Sequence, residues 1–395
     1  MSVVVTLTDK GGARVRGGLP WVYAADVARH EGDGEVCTLR DRRGALGSAL
    51  WSPQSPIPVR VLDRNEAPVQ LDPAFFEARL RAAITRRRAD GYVDGDESAE
   101  RLVHAEADAL PGLVVDRYAD VVVLQTTTAA IDRREAMIAE LLRSLTGARL
   151  VVARDDGSAR EMEGLARRSG VLCGSGETKV RYRDAGSLVE VDVLGDGKTG
   201  GYLDQVGNHE VAGRHARGDC LDAFSYHGGF ALALARGGAT SVIALDESPL
   251  ATARITANAA RNGYTQVRVE TANAFDRLRA LESEGRLFHT VVIDPPALAK
   301  RRGRGREGID PALRAYKELN LRALRLLHPG GTLVTCSCSG RVGVSIFGEM
   351  LESAARDAGR TVQLLERRGA GSDHPILLGV PETEYLKAFV LRVIR

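Results

Sequence analysis

Residues 220–246, CLDAFSYHGGFALALARGGATSVIALD, decide the predicted fold of the C-terminal half of the chain. CLDAF has the composition of a buried strand, the glycine-containing turn after it leads into a helix, and SVIALD is a second strand. Further strand patterns follow in VRVETAN, TVVIDPP and TLVTCSCS, with helical patterns between them. Strands that alternate with helices of this length predict an α/β fold built on a parallel sheet with right-handed crossovers.

Polar and reactive residues stand at the predicted ends of these strands. In an open α/β sheet, ligands bind at the carboxyl ends of the strands. We therefore expect one site along this edge, formed by residues 225–229, Asp246, Asn273, Asp294 and residues 336–338.

The turn at residues 225–229 could be a plain connection, but its surroundings favour a bound nucleoside. Its glycines let the backbone approach a ligand, and the following helix offers free N–H groups. Asp246, about twenty residues on, can accept hydrogen bonds from both hydroxyls of a ribose. No arginine follows it to take a phosphate, and the glycines do not form GxGxxG, which disfavours a dinucleotide. Asn273, Ala274 and Phe275 could supply an amide and an aromatic edge to an adenine, so the pattern favours S-adenosylmethionine.

Residues 198–208, KTGGYLDQVGN, form either a loop that closes over the ligand or an interdomain linker. Lys198, Asp204 and Gln205 are its candidate polar contacts. The residues predicted to bind the cofactor are therefore Lys198, Gln205, Phe224, Ser225, Tyr226, Gly228, Asp246, Asn273 and Ala274.

Asp294 begins the sequence DPPALAK, in which two prolines remove backbone donors and stiffen the loop. This is either a proline-terminated strand or the place where a planar base is held. Methyltransferases that act on exocyclic amines usually have an aromatic residue directly after the second proline. Ala297 stands there instead, which disfavours methylation of an amine.

Cys336 and Cys338 lie two residues apart in a chain with five cysteines. A metal site would need further ligands at suitable spacing, which the sequence does not offer, so no metal is expected. A disulfide is disfavoured in a cytoplasmic protein. Core packing suits one of the two thiols, and nucleophilic catalysis suits a thiol at a strand end. A thiolate that adds to carbon 6 of cytosine makes carbon 5 reactive towards a methyl donor.

The rest of the chain predicts further domains. Residues 1–68 read as a small β-rich domain, which includes GGARVRGGLPWVY as a strand region. Residues 69–95 hold an amphipathic linker helix over 73–90, and residues 96–190 form a compact α+β segment before the final domain at 191–395.

Composition excludes several classes of protein. The net charge of +2 is nearly neutral, so nucleic-acid binding must rest on local patches such as KRRGRGREG, residues 300–308. That loop could equally be a solvated surface loop. No apolar stretch reaches the roughly 18 residues that span a bilayer, and the N-terminus does not resemble a secretory signal. A cytoplasmic location without membrane contact is expected.

The combination of short motifs covers nearly the whole chain and resembles a known family. The motifs are GLPWVY at 18–23, ADALPGLVVDRY at 107–118, FSYHGGF at 224–230, DPP at 294–296, SCS at 337–339, DHP at 373–375 and YLK at 385–387. The chain resembles the bacterial methyltransferases that form 5-methylcytosine in large-subunit ribosomal RNA. That resemblance implies an N-terminal RNA-binding PUA domain, a middle α+β domain and a C-terminal Rossmann-like, S-adenosylmethionine-dependent methyltransferase domain.

The resemblance also implies roles for single residues. Cys338 would be the catalytic nucleophile, since the SCS motif centres on it, whereas a TCS register would select Cys336. Asp294 would be the second catalytic residue. The implied partner is 23S ribosomal RNA or a large-subunit precursor, and a homodimer is compatible with the sequence. The candidate RNA-binding residues are Trp21, Lys300, Arg301, Arg302 and Arg304.

Two departures from the family pattern stand out. Val206 replaces an arginine in the DQR motif, and an acidic residue near Asn273 is absent. Two rival functions remain open at this stage. One is methylation of guanine N7, which needs no thiol, and the other is a non-catalytic RNA-binding assembly factor.

Overall fold

The computed structural model describes residues 3–65, 69–92, 95–196, 200–299 and 309–395. The chain divides into two compact units. Unit 1 comprises Met1–Tyr182, Val191–Gly200 and Ser372–Pro381, and unit 2 comprises Arg183–Glu190, Gly201–Gly371 and Glu382–Arg395. The predicted domain boundaries at residues 68, 95 and 190 stay predictions.

Unit 1 begins with a six-stranded sheet in the order β2-β6-β5-β4-β1-β3. Its strands are β1 (Val3–Leu7), β2 (Trp21–Val22), β3 (Val27–Glu31), β4 (Val36–Asp41), β5 (Gly44–Trp51) and β6 (Val59–Asp63). Apolar residues alternate along β1, so that Val3, Val5 and Leu7 are buried in the core of this sheet. The alternation predicted a β-rich domain here, and the sheet confirms it.

The prediction of a strand through GGARVRGG was wrong, because Asp9–Arg16 form helix α1. The Thr8 side chain caps this helix by accepting from Gly11 N at 3.1 Å. A Cβ on Gly12 would lie 2.3 Å from Asp41 Oδ2, so the glycine permits close packing against β4. The two arginines pair with carboxylates, Arg14 with Asp26 and Arg16 with Asp41. Tertiary contacts thus outweigh the poor helix propensity of glycine.

A second sheet of unit 1 has five strands in the order β11-β10-β9-β8-β7. They are β7 (Ala99–His104), β8 (Leu113–Tyr118), β9 (Val121–Thr126), β10 (Leu150–Asp155) and β11 (Arg168–Gly174). Its helices are α2 (Pro73–Ala89), α3 (Ala129–Asp132), α4 (Glu135–Thr146) and α5 (Ala159–Met162), and β12 (Lys179–Asp184) pairs with β13 (Ser187–Asp192) in a separate hairpin. Helix α2 matches the helix predicted over 73–90, and its Phe76 and Leu80 are fully buried in the core of unit 1.

Unit 2 is built on a seven-stranded sheet in the order β16-β15-β14-β17-β18-β20-β19. Its strands are β14 (Asp219–Ala223), β15 (Ser241–Asp246), β16 (Val267–Thr271), β17 (Phe288–Ile293), β18 (Leu327–Ser337), β19 (Val362–Arg368) and β20 (Lys387–Val393). Its helices are α6 (Val206–Arg214), α7 (Gly229–Arg236), α8 (Pro249–Arg261), α9 (Ala274–Ser283), α10 (Asp310–Arg325) and α11 (Val344–Asp357). The five strands from β16 to β18 run parallel, which confirms the predicted α/β fold, and β20 is antiparallel to β18.

The strand order places the predicted site residues side by side. The order reverses at β14, which lies between β15 and β17, and such a switch point opens a crevice beyond the strand ends. Ala223 pairs with Ile293 across β14 and β17, and Ile293 pairs with Thr335 across β17 and β18. The residues that follow these pairs therefore emerge at one edge of the sheet.

Candidate active site

The turn after β14 adopts an unusual backbone conformation. Phe224 has φ of 68° and Tyr226 has φ of 50°, although neither residue is glycine. Such left-handed positions cost free energy and cluster at ligand-binding sites. Ser225 Oγ donates to the buried carboxylate of Asp222 at 2.5 Å, which holds the turn in place. Gly228, with φ of 92°, is the N-cap residue directly before helix α7.

Asp246 ends β15 beside this turn. Its Oδ2 accepts from Tyr226 N at 2.9 Å, and its Oδ1 accepts from Ser248 N at 2.9 Å. Each carboxylate oxygen can accept more than one hydrogen bond, and the side chain is partly exposed. Asp246 can therefore still accept from ribose hydroxyls, so the turn and this carboxylate fit an adenosine moiety.

Asn273 lies at the N-terminus of α9 and acts as its cap. Its Oδ1 accepts from Phe275 N at 3.0 Å and from Asp276 N at 3.4 Å. Its Nδ2 points to Glu247 at 3.5 Å. The side-chain carbonyl is thus engaged locally, and Ala274 beside it is buried. Phe275 faces Phe224 edge-on, with ring centroids 6.3 Å apart.

Asp294 directly follows β17 and has a partner that orients it. Gln205 Nε2 donates to Asp294 Oδ2 at 3.0 Å, and Gln205 Oε1 accepts from Asn208 at 2.6 Å. Burial, together with the negative charge of Asp204, raises the pKa of Asp294 to about 7, against the opposing effect of His209. Gln205, predicted as a cofactor contact, therefore positions a carboxyl group that is near half protonation at neutral pH.

Three tyrosines that contact residues of the predicted motifs were not among the predicted site residues. The Tyr385 hydroxyl donates to Asp204 at 2.7 Å, and the Tyr202 ring lies edge-on to Tyr226 with centroids 4.9 Å apart. Burial raises the pKa of Tyr202, and the negative charges of Asp294 and Cys338 act in the same direction. The third, Tyr316, contacts the serines of the SCS motif. Tyr202 lies in KTGGYLDQVGN and Tyr385 in YLK, so two of the three had a motif as a signal in the sequence, whereas Tyr316 had none.

The two adjacent cysteines have different surroundings. Cys336 lies within β18 and is fully buried, and burial raises the pKa of its thiol well above the usual value, with Asp294 acting in the same direction. Cys338 follows the end of β18 and is partly exposed. Its Sγ lies 4.0 Å from the carbonyl oxygen of Pro295. One thiol is thus a core residue, and the other lies at the loop that begins with Asp294.

His209 packs against the start of helix α7, directly after the turn that follows β14. It was not predicted as a site residue. Its Nδ1 lies 2.6 Å from Asp184 Oδ1, and its ring packs edge-on against Phe230. A Cβ on Gly229 would lie 2.3 Å from the His209 ring. The second glycine of FSYHGGF is therefore required by the close approach of this histidine.

Of the predicted RNA-binding residues, the structure describes Trp21. Trp21 is partly exposed, and its indole Nε1 donates to Glu106 at 2.8 Å within unit 1. Lys300, Arg301, Arg302 and Arg304, together with Lys198 of the predicted cofactor loop, lie outside the described residues.

Unit 1 contains an acidic cluster. Asp132, Glu135 and Asp155 bring carboxylate oxygens within 4.8 Å of one another. Arg160 occupies the space between two of them, at 2.8 Å from Asp132 and 3.1 Å from Asp155. The cluster is therefore a charge network within the fold.

In the portion of the chain that the structure describes, no helix has the length and apolar character needed to cross a bilayer.

Comparisons with known proteins match both ends of the chain. Residues 5–64 match a PUA-like domain, and residues 171–392 match the S-adenosylmethionine-dependent methyltransferase family. S-adenosylmethionine is therefore the cofactor, as predicted. Ribosomal RNA large subunit methyltransferase I from Photobacterium profundum is 37% identical over 95% of both chains, and that from Aliivibrio fischeri is 36% identical over 100% of both.

Solved structures agree on the fold. An S-adenosylmethionine-dependent methyltransferase from Streptococcus mutans superposes with a TM-score of 0.83 at 19% identity, with both chains fully covered. A methyltransferase complexed with SAH gives a TM-score of 0.84, also at 19% identity and full coverage. With a matching family model over more than half of its length and relatives that match from end to end, this chain belongs to the ribosomal RNA large subunit methyltransferase I family.

Proposed function

We propose that this protein transfers a methyl group to carbon 5 of a cytosine in large-subunit ribosomal RNA, through a covalent bond between Cys338 and the base. Membership of the family supports ribosomal RNA as the substrate, since its relatives carry that substrate in their name. The single observation that carries the chemistry is the position of Cys338. It is partly exposed and lies at the loop of Asp294, whereas Cys336 is buried.

The chemistry explains why a thiol is needed. Carbon 5 of cytosine is a poor nucleophile until a thiolate adds to carbon 6, which makes carbon 5 enamine-like. S-adenosylmethionine supplies the electrophilic methyl group. Loss of the proton from carbon 5 then lets the carbon–sulfur bond break, which restores the base and the free thiol of Cys338.

Asp294 assists this addition from the edge of the base. Electrons displaced by the thiolate move towards N3 of cytosine, where a hydrogen bond from a protonated carboxyl group stabilises them. The pKa of Asp294, raised to about 7 by burial and by Asp204, keeps a large fraction of this carboxyl group protonated at neutral pH. Gln205 holds its other side and fixes its orientation.

The cofactor is held by the turn after β14 and by the neighbouring strand ends. Phe224, Ser225, Tyr226 and Gly228 form the turn, and Asp246 accepts from the ribose. Asn273 and Ala274 border the adenine, with the backbone of Ala274 as the recognising group because the Asn273 carbonyl caps α9. Lys198 remains a further candidate contact.

The target base must leave its stack, because a helical base does not admit a thiol and a methyl donor together. We propose that the PUA domain, over residues 1–68, supplies RNA contacts through Trp21, and that the basic loop adds Lys300, Arg301, Arg302 and Arg304. The linker helix at 69–95, the middle domain at 96–190 and the methyltransferase domain at 191–395 complete the proposed organisation. Cytoplasmic ribosome assembly is the proposed setting, and a homodimer is the proposed assembly of the enzyme.

Mass spectrometry of ribosomal RNA fragments tests the reaction. Large-subunit RNA from cells that lack the enzyme is incubated with labelled S-adenosylmethionine and with wild type, Cys338→Ala or Cys336→Ala. Label on one cytosine that only Cys338→Ala abolishes is the expected result. Loss only with Cys336→Ala would transfer the role to that thiol.

Two other outcomes would overturn the proposal. Label on guanine, with full activity in both cysteine variants, would indicate guanine-N7 chemistry. RNA binding without any transfer of label would indicate a non-catalytic assembly factor.

A further inference from the structure

The serines on both sides of Cys338 contact one buried hydroxyl group. Ser337 Oγ donates to the hydroxyl of Tyr316 at 3.0 Å, and the same hydroxyl lies 2.9 Å from Ser339 Oγ. Tyr316 projects from α10 and is fully buried. The three hydroxyl groups therefore form a continuous chain that we call the hydroxyl chain, and it links the residues on both sides of Cys338.

The donor in the first link of the hydroxyl chain is Ser337, which donates to the hydroxyl of Tyr316. In the second link, between Tyr316 and Ser339, either hydroxyl group can be the donor. Ser339 Oγ accepts from the backbone N–H of Ala299 at 3.2 Å. Tyr316 thus joins the side-chain hydroxyl groups of both serines, which are also linked by the backbone N–H of Ser339 donating to Ser337 Oγ at 3.4 Å.

The hydrogen bond from Ala299 connects this chain to the loop that begins at Asp294. Residues 294–299 carry the carboxyl group that we assign to the base, and residues 337–339 carry the thiol. The backbone of Leu298 is a further hydrogen-bond neighbour of the Tyr316 hydroxyl. The same hydroxyl chain therefore sets the position of the Asp294 loop relative to Cys338.

Lys387 holds the other side of the SCS motif. Its Nζ donates to the carbonyl oxygens of Ser339 and Tyr385, each at 2.7 Å, and the residue is 1% exposed. In the sheet, Lys387 pairs with Ser337 across β18 and β20. Burial lowers the pKa of Lys387 to about 8, and the negative charge of Cys338 opposes this effect. The ammonium group of Lys387 and the thiol of Cys338 are therefore coupled electrostatically.

We propose that Tyr316 is a positioning residue, which, with Lys387, fixes the Cys338 thiol relative to the Asp294 loop. The proposal rests on the function proposed above, because it needs Cys338 as the nucleophile. Neither residue touches the base. Reacting groups must be held within a fraction of an ångström, and a misplacement of 1 Å costs about a hundredfold in rate. Both serines of the SCS motif are buried, so contact with the substrate does not explain them. Their role in this proposal is to bind the Tyr316 hydroxyl and so to hold Cys338 in position.

The test compares Tyr316→Phe with a matched removal of a hydroxyl group. Tyr264→Phe also removes a tyrosine hydroxyl that contacts a serine, here Ser187 at 3.2 Å, far along the sequence from the SCS motif. Both variants are assayed for the rate of a single turnover on large-subunit RNA from cells that lack the enzyme. Equilibrium dialysis with labelled S-adenosylmethionine gives the cofactor Kd, and circular dichroism gives the Tm.

We expect the single-turnover rate of Tyr316→Phe to fall by about tenfold or more, while its cofactor Kd stays within about twofold of wild type. Tyr264→Phe should keep the wild-type rate. A second readout uses RNA transcribed with 5-fluorocytidine, which traps the adduct because fluorine at carbon 5 blocks the final elimination. Adduct formation should slow by the same factor in Tyr316→Phe, since the bond to carbon 6 forms before methyl transfer.

The failures of the two proposals can be distinguished. A wild-type rate for Tyr316→Phe, in an assay where Cys338→Ala is inactive, would overturn the positioning role alone. Activity in Cys338→Ala would overturn the proposed reaction itself. If Tyr316→Phe does not fold, Ser337→Ala removes the first link of the same chain. A slow variant with normal cofactor affinity supports the proposal, and a wild-type rate contradicts it.

Discussion

At the scale of single residues, the carboxyl group of Asp294 has neighbours that shift its pKa in opposite directions. Asp204 raises the pKa of Asp294, whereas His209 and the hydrogen bond from Gln205 lower it. Burial decides the balance and brings the pKa to about 7. A residue that titrates at neutral pH gives the proposed reaction a measurable dependence on pH.

The pH profile of kcat/KM should show a decline at high pH with a midpoint near the pKa of Asp294, which is about 7. The protonated carboxyl group is the active form, so activity is present below that pH and falls as the proton is lost. Asp204→Asn removes the negative charge that raises this pKa and should move the decline to lower pH. The Tyr385 hydroxyl can still donate to an asparagine oxygen, so the variant keeps that contact.

An unchanged midpoint in Asp204→Asn would show that another group causes the decline. Asp294→Asn is the second control, because it cannot ionise. It should have low activity and no decline in this range, and a decline that persists would exclude Asp294 as the titrating group.

At the scale of elements, the turn between β14 and α7 illustrates how a motif is enforced by its neighbours. The left-handed residues Phe224 and Tyr226 are held by Ser225, Asp222 and the carboxylate of Asp246. The helix that follows begins directly over the buried ring of His209. The strand–turn–helix pattern was evident in the sequence, but its supporting histidine was not.

Gly229→Ala tests this support. Its Cβ would lie 2.3 Å from the His209 ring, which cannot move freely because Asp184 and Phe230 hold it. We expect unit 2 to lose about 1–3 kcal/mol of stability and the affinity for S-adenosylmethionine to fall, because the turn must shift. Thermal unfolding and equilibrium dialysis measure the two effects.

The matched control is Gly170→Ala, a glycine in β11 where an added Cβ would contact no atom within 4 Å. It should leave both quantities unchanged. Equal cofactor affinity in Gly229→Ala and wild type would contradict the role assigned to His209.

At the scale of the whole molecule, the chain returns to unit 1 late in the sequence. Residues Ser372–Pro381 belong to unit 1, although the residues on both sides belong to unit 2. Hydrogen bonds of the DHP motif hold this segment to the rest of unit 1. Asp373 Oδ2 accepts from Arg101 N at 2.9 Å, its Oδ1 pairs with His374 at 2.9 Å, and its carbonyl oxygen accepts from Arg87 at 2.8 Å.

Asp373→Ala should destabilise unit 1 by about 2 kcal/mol, because it leaves the partly buried backbone N–H of Arg101 without its acceptor. Asp373→Asn retains a carbonyl oxygen for that donor and should cost less. Urea unfolding of both variants at neutral pH provides the measurement. Equal losses for the two substitutions would mean that the charge of Asp373, rather than the hydrogen bond to Arg101, stabilises the segment.

The sequence by itself determined the α/β fold of the C-terminal half, the cofactor and the line of residues at the strand ends. These follow from local rules: buried strands are apolar, turns need glycine, and parallel strands end at one edge of the sheet. It misassigned α1, where ion pairs and close packing of glycine against Asp41 outweigh propensity. It also could not separate Cys336 from Cys338 without a family motif.

Only the tertiary structure decided which of these thiols is accessible, because β18 ends at Ser337 between a buried cysteine and a partly exposed one. It likewise decided that Gln205 orients Asp294 and that Tyr316 joins the two serines of the SCS motif, contacts between residues 89, 21 and 23 positions apart. Burial and long-range hydrogen bonds depend on how distant segments pack, and no local pattern of residues encodes them.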